Sequence, residues 1–237
     1  AKMAALGVGI ALFASACASG GDSGTDSSPS EDSSSPAANS SVLACPPSQG
    51  GTGEDPGEKG DASAVPASTG TTDAPLKLGT LLPTTGALAF LGPPEIAGVD
   101  LAAQEVNDAG GVLGQPIEIV HRDSGDTTTD IATQSVTDLL GQDVSAVIGA
   151  ASSGVSKTVI NQITGAGVIQ FSPANTSPDF TDWDDNGLYW RTAPSDVLQG
   201  RTLGNYIMEC GAQTVGMIVL NDAYGTGLQQ NIKSSVE

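Results

Sequence analysis

Positive charge is scarce in this 237-residue chain: eight Lys and Arg stand against 27 Asp and Glu, a formal net charge of −19. Contacts to nucleic-acid phosphates need clustered Lys and Arg, so a nucleic-acid partner is excluded. A basic patch lying on anionic lipid is excluded for the same reason. The acidic balance reads as a solubilising surface. Histidine is scarcer still, with His121 in "IEIVHRD" as the single example. Set between a strand and Arg122-Asp123, it reads as structural. No Cys or His cluster has zinc spacing. "GAASSGVS" (149–156) has the wrong glycine spacing for a nucleophile elbow, and no His or Asp partners follow in order. "GTLLPTTG" (79–86) lacks the Gly-Lys-Ser/Thr ending of a P-loop, and no dinucleotide fingerprint follows the first strand. "DWDDNG" (182–187) matches the start of a calcium-binding loop, but Ala193 stands where the bidentate Glu belongs, so it reads as a solvated acidic turn. These absences predict a protein that is not an enzyme and carries no cofactor and no metal.

Long apolar runs are also missing. The longest candidate, residues 4–14 in "MAALGVGIALFASACASGG", is too short to span a bilayer, which needs about 20 apolar residues. It suits the apolar region of a secretory signal. "ASAC" resembles a bacterial lipobox, which makes Cys17 a lipidation site and residues 1–17 a lipoprotein signal, with an ordinary signal peptide cleaved after Ala16 as the alternative. Hydrophobic content is 38% and aromatics 4%, a lean value that is local to the region after the signal. Residues 18–75 are rich in Ser, Gly, Pro and Asp, and this composition predicts a disordered tether. With Cys17 lipidated, Cys45 and Cys210 remain as an even pair in an oxidising compartment. A disulfide between them is expected, with two unpaired thiols as the alternative.

From residue 76 onward, strands alternate with helices. Near-continuous apolar strands such as "LKLGTLLP" and "DVSAVIGA" are separated by amphipathic helices. This pattern predicts an α/β fold with a doubly wound parallel sheet covered on both faces. A further strand is expected at "QTVGMIVL" (213–220), followed by the start of a helix. That new unit has no following strand, so the chain reads as a C-terminally truncated piece of a longer protein. Ligands of such sheets sit at the carboxyl ends of strands. The loops there are rich in Ser, Thr and Gly, and "FSPANTSPDF" (171–180) is the densest. Ser152 and Ser153 open a helix, where free backbone N–H groups favour a carboxylate. Ala174 and Thr176 offer a carbonyl and a hydroxyl to an ammonium. The combination suits a free α-amino acid. Equally, these residues could only cap helices and close turns.

The order of segments then resembles a known family. "VNDAGGVLG" (106–114) is close to the family's "INxAGGVLG", and "GAASSGVS", "FSPANTSPDF", "YWRTAPSDVLQGRTLGNYI" and "DAYGTGL" follow in family order. Residues 76–237 resemble the solute-binding proteins of branched-chain amino-acid ABC transporters. The resemblance implies a two-lobed type I periplasmic-binding fold, with residues 76–194 as the first lobe and 195–237 as the start of the second. It implies that Ser152, Ser153, Ala174 and Thr176 hold the ligand head group and that Tyr224 packs on it from the second lobe. Leu91 stands where the family often has Tyr. The acidic residue that receives the ammonium is expected beyond this sequence, and Arg191 is expected in a structural ion pair. The implied function is binding a branched-chain or other neutral amino acid and delivering it to an ABC permease. The protein would be an exported monomer, lipid-anchored to the outer face of the cytoplasmic membrane. Alternatives on the same fold are an amide, urea or aromatic-acid binder, or a ligand-sensing module of a signalling system.

Overall fold

A computed structural model describes Cys45 and residues 73–237. The expectations for the signal segment, Cys17 and most of the tether lie outside the described residues. Five strands, β1 (Lys77–Leu82), β2 (Glu118–Asp123), β3 (Ala146–Gly149), β4 (Ile169–Ser172) and β5 (Tyr189–Arg191), form one sheet in the order β2-β1-β3-β4-β5. Every neighbouring pair is parallel, and Leu78 of β1 aligns with Ile119 of β2 and Ala146 of β3. Parallel neighbours require crossovers, and the helices supply them. These are α1 (Gly92–Asp108), α2 (Ile131–Gly141) and α3 (Ser153–Gly165). Two more helices follow β5: α4 (Asp196–Glu209) and α5 (Ala223–Val236).

The two faces of the sheet are covered unequally. On one face α2 and α3 pack closely, burying Leu81, Val136, Leu139, Val147, Val159 and Ile163 completely. Burial of each such side chain stabilises the fold by roughly 1.5–3 kcal/mol. Helix α2 comes so close that a Cβ on Gly79 would stand 2.8 Å from a Leu139 methyl. On the other face α1 packs over β1 and β2, and among the described residues no second helix joins it there. An apolar cavity of about 620 Å³ remains there, bounded by residues such as Val99, Ile119, Ile148 and Phe171. Coverage on both faces was expected, but no described element lies over β3 and β4 on this side, and Ile169 and Phe171 stay partly open. In α1 itself, Ile96, Val99, Ala103 and Val106 share a face at helical spacing, whereas Leu101 falls off that stripe and is exposed.

The segment 213–220 corrects a second expectation. Its composition reads as a strand, yet it is irregular, and Val215, Ile218, Val219 and Leu220 are exposed. A strand is stabilised by a hydrogen-bonded neighbour, and none of the described strands pairs with this segment. Helices α4 and α5 pack tightly on each other instead. A Cβ on Gly200 would stand 2.4 Å from the Asn231 Cβ, and one on Gly204 would stand 2.3 Å from the Ser235 Cβ. Gly200→Val is therefore expected to force the helices apart and cost about 1–3 kcal/mol. A urea titration checks this, and an unchanged midpoint would show that the close approach does not matter.

Cys45 is disulfide-bonded to Cys210, the residue that caps the C-terminus of α4, across 165 positions of sequence. His121 bridges elements, with its Nδ1 2.9 Å from the Thr80 hydroxyl and its Nε2 3.0 Å from the Asp100 carboxylate on α1. The acidic turn is closed by Asp185, whose carboxylate accepts from the Gly187 N–H at 2.6 Å.

Candidate functional site

Strands β3 and β4 are adjacent and parallel, so their following loops leave the sheet at the same edge. At the end of β3, Gly149 has φ 133°, and a Cβ there would stand 2.1 Å from the Leu81 carbonyl oxygen. Only glycine fits. Ser152 then caps α3, its hydroxyl oxygen accepting from the Val155 N–H at 3.3 Å. The Ser153 and Gly154 N–H groups of the first turn have no described acceptor.

After β4, the loop 173–177 is stitched to the β3 loop by buried side chains. Ser172 donates to the Ala150 carbonyl at 2.7 Å and accepts from the N–H groups of Ala174 and Asn175. Asn175 is fully buried; its amide donates to the Ala150 and Ala151 carbonyls at 3.0 and 2.9 Å. Its Oδ1 accepts from the Tyr189 hydroxyl at 2.9 Å. The Ser153 hydroxyl oxygen accepts from the Thr176 and Ser177 N–H groups at 3.2 and 3.3 Å. Ser153 and Thr176 are thus brought together from segments 23 residues apart. The Ala174 carbonyl accepts no described hydrogen bond.

Thr176 also reaches α4. Its hydroxyl donates to Asp196 Oδ2 at 3.1 Å, and the Asp196 N–H donates to the Thr176 carbonyl at 2.8 Å. Asp196 is fully buried in the first turn of α4, behind the capping Ser195. Burial pushes its carboxyl above the usual carboxylate range, with Thr176 and the Arg191 charge opposing that shift. Tyr224 lies in the first turn of α5, which Asp222 caps by accepting from the Gly225 N–H at 2.8 Å. Burial raises the Tyr224 hydroxyl above its ordinary value, and the charges of Asp196 and Asp222 add to the shift.

Two residues sit differently from expectation. Arg191 makes no described ion pair; its guanidinium donates to the Ser177 carbonyl at 2.7 Å and the Thr181 hydroxyl at 3.0 Å. It therefore braces the 178–180 turn through neutral acceptors. Leu91 stands just before α1, half-buried, on the loop after β1. That loop leaves the same sheet edge one strand away, but no described contact joins Leu91 to the Ser153–Thr176 pair. Asp123 orders this loop by accepting from the Thr84, Thr85 and Gly125 N–H groups and the Thr85 hydroxyl. Burial pushes its carboxyl up, but the hydrogen bonds outweigh it and hold the carboxyl at about 2.

Asp196 was not singled out in the sequence, and Asn175 stood out only as one of several polar residues in its loop. "SD" at a helix start reads as a cap, and nothing local signals that Asp196 would meet a hydroxyl 20 residues earlier.

Residues 75–237 match the family described as "Periplasmic binding protein". Over 180 residues the chain is 33% identical to Leu/Ile/Val-binding protein homolog 1 of Brucella abortus, covering 73% of this chain and 47% of that protein. Among solved structures, it resembles the branched-chain amino acid transporter substrate-binding protein LivJ of Streptococcus pneumoniae, solved in complex with isoleucine. That likeness has a TM-score of 0.59 at 28% identity and covers 69% of this chain and 47% of that one. A solute-binding protein of R. palustris, solved in complex with benzoate, has a TM-score of 0.61 at 25% identity and covers 69% of this chain and 45% of that one. The chain spans about half the length of the curated relatives it matches.

Proposed function

The chain belongs to the periplasmic binding protein family, and from that premise we propose that the protein is the extracytoplasmic solute-binding component of an ABC importer. It holds a branched-chain or other neutral amino acid by the head group between two lobes and delivers it to a permease. The observation that carries this reading is the junction of the two loops, where Ser153 and Thr176 meet at one sheet edge. In this reading the free Ser153 and Gly154 N–H groups and the Ser153 hydroxyl proton receive the ligand carboxylate. The Ala174 carbonyl and the Thr176 oxygen receive the ammonium, and Tyr224 covers the side chain. Residues 76–194 form the first lobe and 195–237 open the second, so that closing on the solute brings Tyr224 onto the cradle. Lipidation at Cys17 anchors the protein to the outer face of the cytoplasmic membrane. The relatives are named for binding rather than catalysis, and the proposal assigns no reaction. The benzoate-bound neighbour favours one second reading, an aromatic-acid binder on the same fold.

Thr176→Ala in the complete gene product is expected to weaken every bound amino acid alike, by at least tenfold, because hydrogen bonds to charged groups contribute about 1.5–3 kcal/mol. Tyr224→Ala is expected to change the ranking among side chains instead. Calorimetry across the common amino acids checks both, and unchanged affinity in Thr176→Ala would remove the cradle assignment.

A further inference from the structure

Asp196 is a fully buried carboxylate with no ion-pair partner among the described residues. The four described ion pairs, His121–Asp100, Arg122–Asp138, Lys157–Asp179 and Lys233–Glu237, all lie elsewhere. Its described side-chain partners are neutral: the Thr176 hydroxyl at 3.1 Å and the Gln199 amide at 3.4 Å. Arg191, whose charge acts on Asp196, donates instead to the Ser177 carbonyl and the Thr181 hydroxyl. On the α5 side Asp196 faces the backbone of Gly227, where a Cβ would stand 3.7 Å from its Oδ2. A buried charge is costly unless a partner of opposite sign comes to it. A threonine hydroxyl has one proton. With that proton donated to Asp196, the Thr176 oxygen presents only lone pairs on its other side.

We propose that Asp196 is a positioning residue that sets the cradle's choice of head group, selecting solutes that carry an ammonium over amine-free carboxylates. It fixes Thr176 as an acceptor and supplies the negative charge that the ammonium completes. Neighbours on this fold take both kinds of solute, isoleucine in one and benzoate in another. The inference rests on the head-group reading given above and names the residue that tunes it.

The test compares L-leucine with 4-methylpentanoate, which is leucine without its amine, by calorimetry on the complete gene product. The wild type is expected to prefer leucine. Asp196→Asn keeps the shape and removes the charge, and it is expected to shrink the leucine-to-4-methylpentanoate affinity ratio at least tenfold. Asp196→Ser, which removes the charge by a different side chain, is expected to shrink the same ratio and carries the test should Asp196→Asn not fold. A merely structural role would weaken both solutes together and leave the ratio unchanged, which overturns the inference. A wild type that binds no amino acid would instead defeat the head-group reading itself, and this inference with it.

Discussion

Asn175→Ala is expected to lower stability by about 2–6 kcal/mol, because it leaves two buried polar groups without partners at about 1–3 kcal/mol each. The Ala151 carbonyl loses its described donor, and the Tyr189 hydroxyl loses its acceptor. The Ala150 carbonyl keeps Ser172 and Ser156, so the loss there is smaller. Tyr189 is itself stacked on Phe180 at 4.8 Å between ring centroids, so its displacement would disturb the small cluster formed with Ile160. The loop carrying Ala174 and Thr176 would lose its register against Ser153. Solute affinity should therefore fall along with stability. The measurement is a urea midpoint beside a binding isotherm. A variant as stable as the parent would mean that the loop is held by Ser172 and Ser153 alone.

The second large effect is expected from Cys45→Ser combined with Cys210→Ser. The bond joins positions 165 apart, and closing long loops constrains the unfolded chain most. The chain-entropy limit for such a loop is about 5 kcal/mol, and measured losses are usually about 2–4 kcal/mol. For a domain of this size that corresponds to a drop in Tm of roughly 5–15 °C. Thermal melts of the exported protein, with and without reductant, check it. The parent should lose stability in reductant and the double variant should not respond. Equal melting of parent and double variant would show that the bond contributes nothing.

The parallel sheet was legible in the sequence because β1 and β3 read as near-continuous apolar runs separated by helices. Its carboxyl edge was legible for the same reason, since loops rich in Ser, Thr and Gly follow those runs. The sequence pointed to Ser153 and Thr176, and the structure brings them together. Ser152 proved to be a helix cap, a role that the same residue type predicts equally well. Segment 213–220 was misread because composition reports β-propensity, whereas a strand also needs a partner. Asp196 was invisible because its role depends on β5 lying beside β4, which carries the start of α4 back to Thr176. Asn175 was visible only as one polar residue among several. Its four described hydrogen bonds reach across two loops and a strand, and no local pattern encodes them.

The central claim is that the two loops cradle the head group of a free amino acid. Calorimetric titration of the complete gene product with L-leucine and with leucinamide tests it most directly, because the two differ only at the carboxylate. The account predicts saturable binding of leucine and at least tenfold weaker binding of the amide, which lacks the charge that the Ser153 and Gly154 N–H groups receive. Amide binding as tight as that of the free acid would contradict it.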